Sequence, residues 1–338
     1  MTTIYLVRHG EAEGNIFRRF HGQYDALLTP RGEAQVRQLQ KRFENIHIDA
    51  CFASDLTRAS QTAQAVYVPK GLKLQRDPRF REICVGIWED VPYGYLDHFD
   101  EKRMWMFNHD ITNWSVEGGE DYETSSSRFV EGLTEAAERY DGGSIAVFSH
   151  AAVMRCALMR ILGQMDGKLG YSDNTGVSKL VYEDGKFSAV FLNDNSHLPE
   201  ELSTFYIQRW WRETDNRKEA ALYFLPAADV DLPQELPLLE QGVTLAAILC
   251  GRPVGTVTLG EKNGDTGMIL SMNLLPGFEG RYYADQLLGC GFSHFRKLGC
   301  RYLAAAPGQY PDNVLERYGF DPVTRSRSID TTVFDWSK

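Results

Sequence analysis

The sequence predicts an α/β protein with a mainly parallel sheet covered by helices on both faces, followed by a smaller α+β domain. The chain has 338 residues, two to three times the usual domain length of roughly 100 to 200 residues, which favours two domains. Over the first 200 residues, short apolar runs alternate with helical patterns, and this order builds parallel sheets. Later in the chain, strand patterns follow one another before a helix. We place the domains at residues 1–200 and 221–338, with a linker or helix at 201–220.

The first β-helix-β-helix unit occupies the N-terminal part of the chain. Residues 3–7 (TIYLV) are apolar and β-favouring, as in a strand that is buried on both faces. A helix is predicted from Pro30, with Thr29 as its N-cap. The next two elements are a strand at DACFAS and a helix at DLTRASQTAQAV, which is capped near Ser54 or Asp55.

The remainder of the first domain continues this pattern and ends in a hairpin. After a Gly-Gly turn near residue 120, the segment EDYETSSSRFVEGLTEAAERY predicts a long helix, and SIAVFSH predicts a short strand. Asp184-Gly185 lies between two alternating runs, which is the strongest short-range signal for a β-hairpin. The first sheet is therefore expected to finish near residue 195.

The second domain is predicted to begin with antiparallel strands. Residues 202–225 and the proline-punctuated stretch through Pro237 have the composition of a junction. Strands resume at LAAILCGRPVGTVTLG, where Gly251 to Pro253 is predicted to form a turn. The remaining elements are a strand at GMILSMNLL, a helix at YADQLLGCGFSHFRKLG and a strand at YLAAAP.

Composition and charge narrow the class of protein. With 43% hydrophobic and 24% charged residues, the chain has the balance of a soluble globular protein. Its net charge of −10 argues against a surface that tracks nucleic-acid phosphates, and no apolar run approaches the ~18 residues that span a bilayer. The six cysteines form no Cys-x-x-Cys pair, which suggests neither a zinc site nor a disulfide framework. We expect a cytoplasmic protein with a small-molecule partner, and leave open whether it forms a homo-oligomer.

Two histidines are expected at one edge of the parallel sheet. His9 follows the first strand and His150 follows SIAVFS, and open α/β sheets bind ligands at the carboxyl ends of their strands. If those strands are neighbours, the two imidazoles face each other across a crevice. Arg8 precedes His9, and Arg58 falls in the first turn of a predicted helix. Because guanidinium groups and helix N-termini bind phosphate, these residues predict a phosphate pocket.

Four motifs resemble the histidine phosphatase superfamily, which has a phosphoglycerate mutase-like fold. They are LVRHGEAEGN, FASDLTRASQTA, REICVGIWED and VFSHAAVMR, and the resemblance covers roughly residues 1 to 200. It implies that His9 is the nucleophile that becomes phosphorylated and that His150 is the second active-site histidine. It also implies that Arg8, Asn15 and Arg58 contact the phosphoryl group.

The resemblance further implies that Glu82 is the general acid, with Glu89 as the rival carboxylate. Glu82 would have to be protonated to donate to the leaving alcohol, and nearby phosphate charge favours this by raising its pKa. No metal or other cofactor is expected in this domain, because arginines supply the positive charge. The sequence departs from the family at Ala151, where glycine is usual. A methyl group there would shift His150 slightly or narrow the pocket.

The loop RRFHGQYDALLTPRG resembles the substrate-side loop of the family. His21 and Gln23 are therefore candidates for the rim of the pocket. Arg18 and Arg19 are candidates too, although we expect a solvated surface position for either arginine taken singly.

Phosphatase and mutase activities both use a phosphohistidine, and other features must separate them. Only 67 residues lie between Glu82 and His150, which is a short insertion compared with that of mutases of this superfamily. These residues are rich in large apolar groups rather than arginines. We therefore expect a phosphatase that acts on a small phosphorylated metabolite. The alternatives are a phosphoglycerate mutase-type phosphotransferase and a non-catalytic sensor of a phosphorylated ligand.

The end of the chain resembles GNAT N-acetyltransferases, both in NVLERYGFDP and in NLLPGFEGRYYADQLLGCGFSHFRKLG. The resemblance implies a GNAT-like fold, acetyl-CoA as a candidate cofactor and Tyr318 as a candidate acetyltransferase residue. Tyr282 and Tyr283 stand where a phosphate-binding turn has small residues, which speaks against acetyl-CoA. The alternatives are acetyl transfer as the main activity, with the first domain as a sensor, or a degenerate domain. A degenerate domain would shape the pocket, mediate dimerisation or bind a regulatory ligand.

Overall fold

The first sheet contains six strands in the part of the chain that the computed structural model describes, residues 1–164, 169–214 and 216–332. These strands are β1 (Thr2–Arg8), β2 (Ala50–Ala53), β3 (Leu74–Arg76), β4 (Ser144–Ser149), β5 (Val177–Glu183) and β6 (Lys186–Asp194). Their order is β3-β2-β4-β1-β5-β6. The first four are parallel, and β5 and β6 add an antiparallel edge. The predicted hairpin is confirmed, with Asp184 and Gly185 as its positive-φ turn residues.

Helices cover both faces of this sheet. They are α1 (Glu13–Ile16), α2 (Pro30–Phe43), α3 (Thr57–Tyr67), α4 (Tyr93–Phe99), α5 (Glu101–His109), α6 (Tyr122–Arg139) and α7 (Ala151–Leu162). Side chains of β1 show the two-sided core: Ile4 and Leu6 belong to one apolar cluster with residues of α6 and α7, and Val7 to another with residues of α2 and α3. Such a strand is apolar on both faces, as the sequence predicts.

Helix starts agree with the sequence at α2 and differ at α3. The Thr29 hydroxyl accepts the Gly32 N–H at 3.0 Å, as an N-cap does. The predicted cap of α3 at Ser54 or Asp55 is wrong, because its N-cap residue is Leu56, which has no capping side chain. Asp25 supplies the missing acceptor for the Thr57 N–H at 2.8 Å, from a loop that lies far away in sequence.

The segment between the two sheets contains two short helices, α8 (Thr204–Ile207) and α9 (Arg209–Arg212). Trp211 in α9 is buried, whereas Arg209 and Arg212 are exposed. The segment that the sequence predicts to be a junction therefore has a packed face of its own.

The second sheet is also six-stranded within the described residues, in the order β12-β11-β10-β9-β8-β7. Its elements are β7 (Tyr223–Pro226), β8 (Val243–Leu249), β9 (Arg252–Leu259), β10 (Thr266–Leu274), α10 (Tyr283–Lys297), β11 (Tyr302–Ala305), α11 (Val314–Arg317) and β12 (Ser326–Ser328). β7 to β10 are antiparallel, and α10 connects β10 to the parallel β11. The turn predicted at Gly251 to Pro253 is wrong: Cys250 and Gly251 have the positive φ angles, and Pro253 lies within β9.

Helix α10 packs against the first domain beside α1. The Phe17 ring lies 5.2 Å from the Phe292 ring and 5.3 Å from the Tyr318 ring, between centroids. A Cβ atom at Gly289 would come within 2.4 Å of the Phe17 side chain. Glycine therefore permits the close approach of α10 to the residue that follows α1.

Charged groups reinforce the same contact. Arg296 of α10 binds both carboxylate oxygens of Glu13, at 2.5 and 2.9 Å. Arg19 donates to Asp90 at 2.7 Å and to the Ser293 hydroxyl at 2.9 Å, and Ser293 donates in turn to Asp90. Paired and hydrogen-bonded buried charges fix a geometry more surely than they add stability. The second domain therefore holds the segment 13–19 in one position.

Across the described residues, no helix combines the length and the apolar composition that a bilayer-spanning segment requires.

Candidate active site

The two predicted histidines meet at the carboxyl ends of neighbouring strands. β1 and β4 pair in parallel with Arg8 opposite Ser149, so the next residue of each strand is a histidine. The His9 and His150 rings are 5.1 Å apart between centroids, with 58° between their planes. The expectation that the imidazoles face each other is confirmed.

His9 has one ring nitrogen fixed and the other available. Its Nδ1 lies 2.7 Å from the Gly10 carbonyl oxygen. Because a carbonyl oxygen can only accept, Nδ1 carries the proton and Nε2 keeps its lone pair. Burial, with Arg58 and Arg8 nearby, holds the pKa of His9 well below its usual range. The imidazole is therefore neutral near pH 7.

Arg8 and Arg58 are buried beside His9 and held by neutral groups. Arg8 donates to the Ser172 carbonyl at 2.5 Å, and Arg58 donates to the carbonyls of Gly22 and Tyr24 at 2.7 and 3.0 Å. Among the described residues, no carboxylate forms an ion pair with either guanidinium. Burial lowers the pKa of both arginines, but a guanidinium group keeps its charge in proteins. Their positive charge is therefore available to bind an anion.

His150 is fully buried at the N-terminus of α7. Neither of its ring nitrogens has a hydrogen-bond partner among the described residues. Burial, followed by the positive charge of Arg58, lowers the pKa of His150 well below its usual range. Ala151, the residue that departs from the family pattern, lines the cavity next to it.

Glu82 lines the same cavity and is held at the start of α7. Its carboxylate accepts the N–H groups of Val153 at 2.7 Å, Ile83 at 2.9 Å and Ala152 at 3.1 Å. Burial raises the pKa of Glu82, and these backbone donors oppose the rise because they favour the charged form. A buried carboxyl with a raised pKa has the character of a general acid.

The rival carboxylate, Glu89, does not line the cavity described above. It accepts the N–H groups of Gln23 at 2.7 Å, Tyr24 at 2.8 Å and Val85 at 3.1 Å. Glu89 therefore holds the loop whose carbonyl groups hold Arg58. The geometry favours Glu82 over Glu89 as the acid.

Asn15 lies in the cavity wall together with an asparagine that sequence reasoning missed. The Asn15 side-chain oxygen accepts the Ala12 N–H at 2.9 Å and lies 3.3 Å from the Asn174 amide nitrogen. Asn174 is fully buried, donates to the His9 carbonyl at 3.0 Å and keeps its own oxygen without a partner among the described residues. The only sequence signal was its position, just before the hairpin that leaves this edge of the sheet.

The candidates for the pocket rim have different outcomes. His21 lines the cavity, and its side chain is 7% exposed with Nε2 3.4 Å from the Asp90 carboxylate. Gln23 is not among the described lining residues, and its side chain donates to the Glu82 carbonyl at 3.2 Å, so the rim prediction is wrong for it. The solvated position expected for Arg18 and Arg19 is also wrong. Both line the cavity, and Arg19 is buried at the contact with the second domain.

The cavity has a volume of about 220 Å³ and a second wall that the sequence did not predict. Its lining includes the strand-end residues and, from the segment between Glu82 and His150, the apolar side chains Met104 and Phe107. The segment between the sheets contributes Phe205, Trp211 and Arg212 to the same lining, and these residues are the second wall. The predicted linker is therefore part of the site. In the described part of the chain, no cluster of three or more His, Cys, Asp or Glu side chains could hold a metal ion.

A comparison with known families agrees with this geometry. Residues 4–195, more than half of the chain, match the family described as the histidine phosphatase superfamily, branch 1. The chain belongs to the histidine phosphatase superfamily. The phosphoglycerate mutase-like fold expected for the first domain is confirmed with it.

Individual relatives include mutases and phosphatases. The probable phosphoglycerate mutase GpmB of Enterobacter sp. (strain 638) is 34% identical over 167 residues, which are 48% of this chain and 76% of that protein. YhfR of Bacillus stearothermophilus is 27% identical, has a TM-score of 0.56, and covers 58% of this chain and 99% of its own. The α-ribazole phosphatase from Shigella flexneri is 24% identical, covers 57% of this chain and 96% of its own, and at a TM-score of 0.51 is similar in fold alone.

The histidine phosphatase match ends before the second wall of the cavity. Its last residue is 195, whereas Phe205, Trp211 and Arg212 come later in the chain. His9, Arg58, Glu82 and His150 thus lie within the matched residues, and this wall lies outside them.

Proposed function

We propose that this chain is a metal-independent phosphatase that hydrolyses a small phosphomonoester through a phosphohistidine on His9. The observation that carries the proposal is the state of His9, whose Nδ1 proton is bound to the Gly10 carbonyl while Nε2 keeps its lone pair. Arg8 and Arg58 beside it have no carboxylate partner among the described residues. A dianionic phosphoryl group would be held against the nucleophile by this positive charge.

In the first displacement, Nε2 of neutral His9 attacks phosphorus and the P–O bond to the alcohol breaks. Negative charge on the phosphoryl oxygens is stabilised by Arg8, Arg58 and a ring N–H of His150. Protonated Glu82 gives its proton to the departing alkoxide. The products of this step are a free alcohol, a phosphohistidine and a Glu82 carboxylate.

In the second displacement, water attacks the phosphohistidine. The Glu82 carboxylate takes a proton from the water as the new P–O bond forms and the P–N bond breaks. Inorganic phosphate leaves, and His9 and protonated Glu82 are regenerated. The three backbone N–H groups on Glu82 stabilise its carboxylate between the two steps.

Access of water favours hydrolysis over transfer to a second substrate. Arg212 lines the cavity and is exposed to solvent, so the cavity opens to water on that side. Transfer between two hydroxyl groups requires that water be excluded from the phosphoenzyme. The alternative is a phosphoglycerate mutase-type phosphotransferase.

We expect the protein, treated with a chelator, to release inorganic phosphate from aryl and alkyl monoesters. With 3-phosphoglycerate, phosphate release should exceed formation of the 2-isomer, and both products can be followed in one reaction by phosphorus NMR. Isomerisation without net phosphate release would favour the mutase. Binding of phosphate without turnover of any monoester would favour the sensor.

For the second domain we propose a GNAT-like fold used for docking. The order of β10, turn, α10 and parallel β11 agrees with the strand, turn and helix on which the resemblance depends. Tyr318, the candidate acetyltransferase residue, is 5% exposed and packs on Phe17 of the first domain. Tyr282 occupies a left-handed conformation at the start of α10. These features support a helix that holds the first domain rather than acetyl-CoA.

Gly289→Val should separate the docking role from acetyl transfer. The new side chain would overlap the Phe17 ring, and overpacking of this kind lowers the free energy of unfolding by about 1–3 kcal/mol. We expect a lower urea midpoint and a higher KM for phosphomonoesters, because segment 13–19 carries Asn15 and Arg18. Gly170→Val is the control, since a Cβ atom there meets nothing within 4 Å. Binding of acetyl-CoA to the parent protein in calorimetry would contradict the docking role and favour acetyl transfer.

A further inference from the structure

Two arginines that line the cavity, Arg18 and Arg212, lie among aromatic rings. Arg212 belongs to the wall outside the superfamily match, and Arg18 contacts Trp211 of that wall. The Arg18 guanidinium lies 4.6 Å from the Tyr93 ring and 4.6 Å from the Trp211 ring. The Arg212 guanidinium lies 3.7 Å from the Phe205 ring and 4.9 Å from the same Trp211 ring. Stacking on aromatic faces orients a guanidinium and leaves its N–H edges free to donate.

The positive charge of these arginines is not matched within the described residues. Neither Arg18 nor Arg212 forms an ion pair there with a carboxylate, and the buried Nε of Arg18 has no hydrogen-bond partner. The described lining of the cavity contains two carboxylates, Glu82 and Asp97. Glu82 is assigned to proton transfer, so Asp97 is the acid that remains near Arg18. Burial lowers the pKa of Arg18, and the charge of Asp97 opposes this only in part.

A phosphoryl group alone would leave this charge unused. Its two negative charges are matched by Arg8 and Arg58, which lie beside the nucleophile. Arg19 also lines the cavity, but Asp90 neutralises it at 2.7 Å. Arg18 and Arg212 are therefore a second place for negative charge in the same cavity.

We propose that Arg18 and Arg212 form a second oxyanion subsite, so that the substrate is a phosphomonoester that carries a further carboxylate or phosphate. This inference rests on the proposed function and deepens it by naming the substrate class. Arginine suits both groups, since its planar fork binds carboxylate and phosphate through paired hydrogen bonds. Trp211 stacks on Arg18 and lies beside Arg212, and so holds both guanidinium groups in one subsite.

The test compares ligands that differ in one group. Glycerol 3-phosphate has one anionic group, 3-phosphoglycerate has a carboxylate in place of its terminal CH₂OH group, and glycerol 1,3-bisphosphate carries a second phosphate on its terminal hydroxyl oxygen. We expect each doubly anionic ligand to exceed glycerol 3-phosphate in kcat/KM by about tenfold or more, since hydrogen bonds to charged groups are among the stronger ones. The preferred ligand of the two identifies the second group.

Two variants of α9 show whether Arg212 is responsible. Arg212→Gln should remove most of the preference, mainly through KM. Arg209→Gln is the matched control, because Arg209 belongs to the same helix, stacks on Tyr206 at 3.7 Å and is not among the described lining residues. It should keep the preference. Equal losses for singly and doubly anionic ligands in Arg212→Gln would mean a structural role and overturn the subsite.

Binding measurements keep the subsite distinct from the proposed reaction. Calorimetry of the three ligands with His9→Gln protein reports affinity without turnover. A preference for the doubly anionic ligands that depends on Arg212, in a parent protein that hydrolyses none of them, would support the subsite and contradict the phosphatase. Hydrolysis of all three ligands with equal affinities would support the phosphatase and contradict the subsite.

Discussion

His9→Ala is expected to lower phosphomonoester hydrolysis by roughly 10⁴-fold or more, since removal of a covalent nucleophile costs this much in other enzymes. The physical reason is that the variant lacks the imidazole whose Nδ1 is held by the Gly10 carbonyl and whose Nε2 keeps its lone pair for attack on phosphorus. Phosphate release from p-nitrophenyl phosphate measures the effect. A rapid acid quench should trap an acid-labile phosphoprotein in the parent and none in the variant.

Two further measurements make the His9 result specific. His47→Ala is the control, because its side chain is 83% exposed and pairs with Asp49 away from the cavity. It should keep parental turnover. Phosphate should still bind to His9→Ala, since Arg8 and Arg58 are held by backbone carbonyls and not by His9. Undiminished turnover in folded His9→Ala would contradict the phosphohistidine mechanism.

The clustering of the two histidines and Arg58 could be predicted from sequence because local rules place these residues. His9 and His150 each follow a short apolar strand, and parallel strands bring their carboxyl ends to one edge. Arg58 lies at the start of the helix after β2, which the same pattern identifies. The position of each of these residues depends on the strand or helix next to it in the chain, and a single sequence is sufficient to predict such elements.

Residues that reach the site from distant loops could not be predicted in this way. Asn174 donates to the His9 carbonyl across 165 positions, and Asp25 caps α3 from 32 positions away. Trp211 and Arg212 belong to a helix of four residues, too short for a periodic pattern. Each of these contacts depends on how loops converge in three dimensions, which neither propensity nor spacing encodes.

The contact between the domains explains why Arg19 was misjudged. An arginine in a polar loop is ordinarily solvated, and the sequence around Arg19 contains no sign of a partner. Its partners are Asp90 and Ser293, 71 and 274 positions away. The second domain thus converts a loop of surface character into a buried part of the site.

Glu82→Gln is expected to slow hydrolysis of an alkyl phosphate by roughly 10²- to 10⁴-fold, the usual contribution of general acid catalysis. An alkoxide is a poor leaving group and needs the proton, whereas a nitrophenolate leaves without one. The same substitution should therefore slow the first turnover of nitrophenol release, the pre-steady-state burst, much less. Steady turnover of either ester still needs Glu82 as the base of the second displacement, so the comparison is made on the burst phase. Parallel assays of glycerol 3-phosphate and p-nitrophenyl phosphate measure the difference.

The pH dependence gives a second readout of the same residue. In the parent, hydrolysis of the alkyl ester requires protonated Glu82, so its rate should fall as pH rises through the pKa of Glu82. Burial raises that pKa and lowers the pKa of His9. Both shifts widen the range in which the acid is protonated and the nucleophile neutral. In Glu82→Gln, hydrolysis of the alkyl ester should be slow at every pH, and its rate should no longer decrease as pH rises through this range. We call this decrease in the parent the alkaline fall.

Glu89→Gln is the matched control for Glu82→Gln, because Glu89 lies near the site but holds the backbone of Gln23 and Tyr24. A disturbance of that loop would displace the backbone carbonyl groups that accept hydrogen bonds from Arg58, and so weaken those hydrogen bonds. It should therefore slow the alkyl and aryl esters by a similar factor and keep the alkaline fall. If Glu89→Gln were the variant that discriminated between leaving groups, the acid would be Glu89 and the assignment of Glu82 would be wrong.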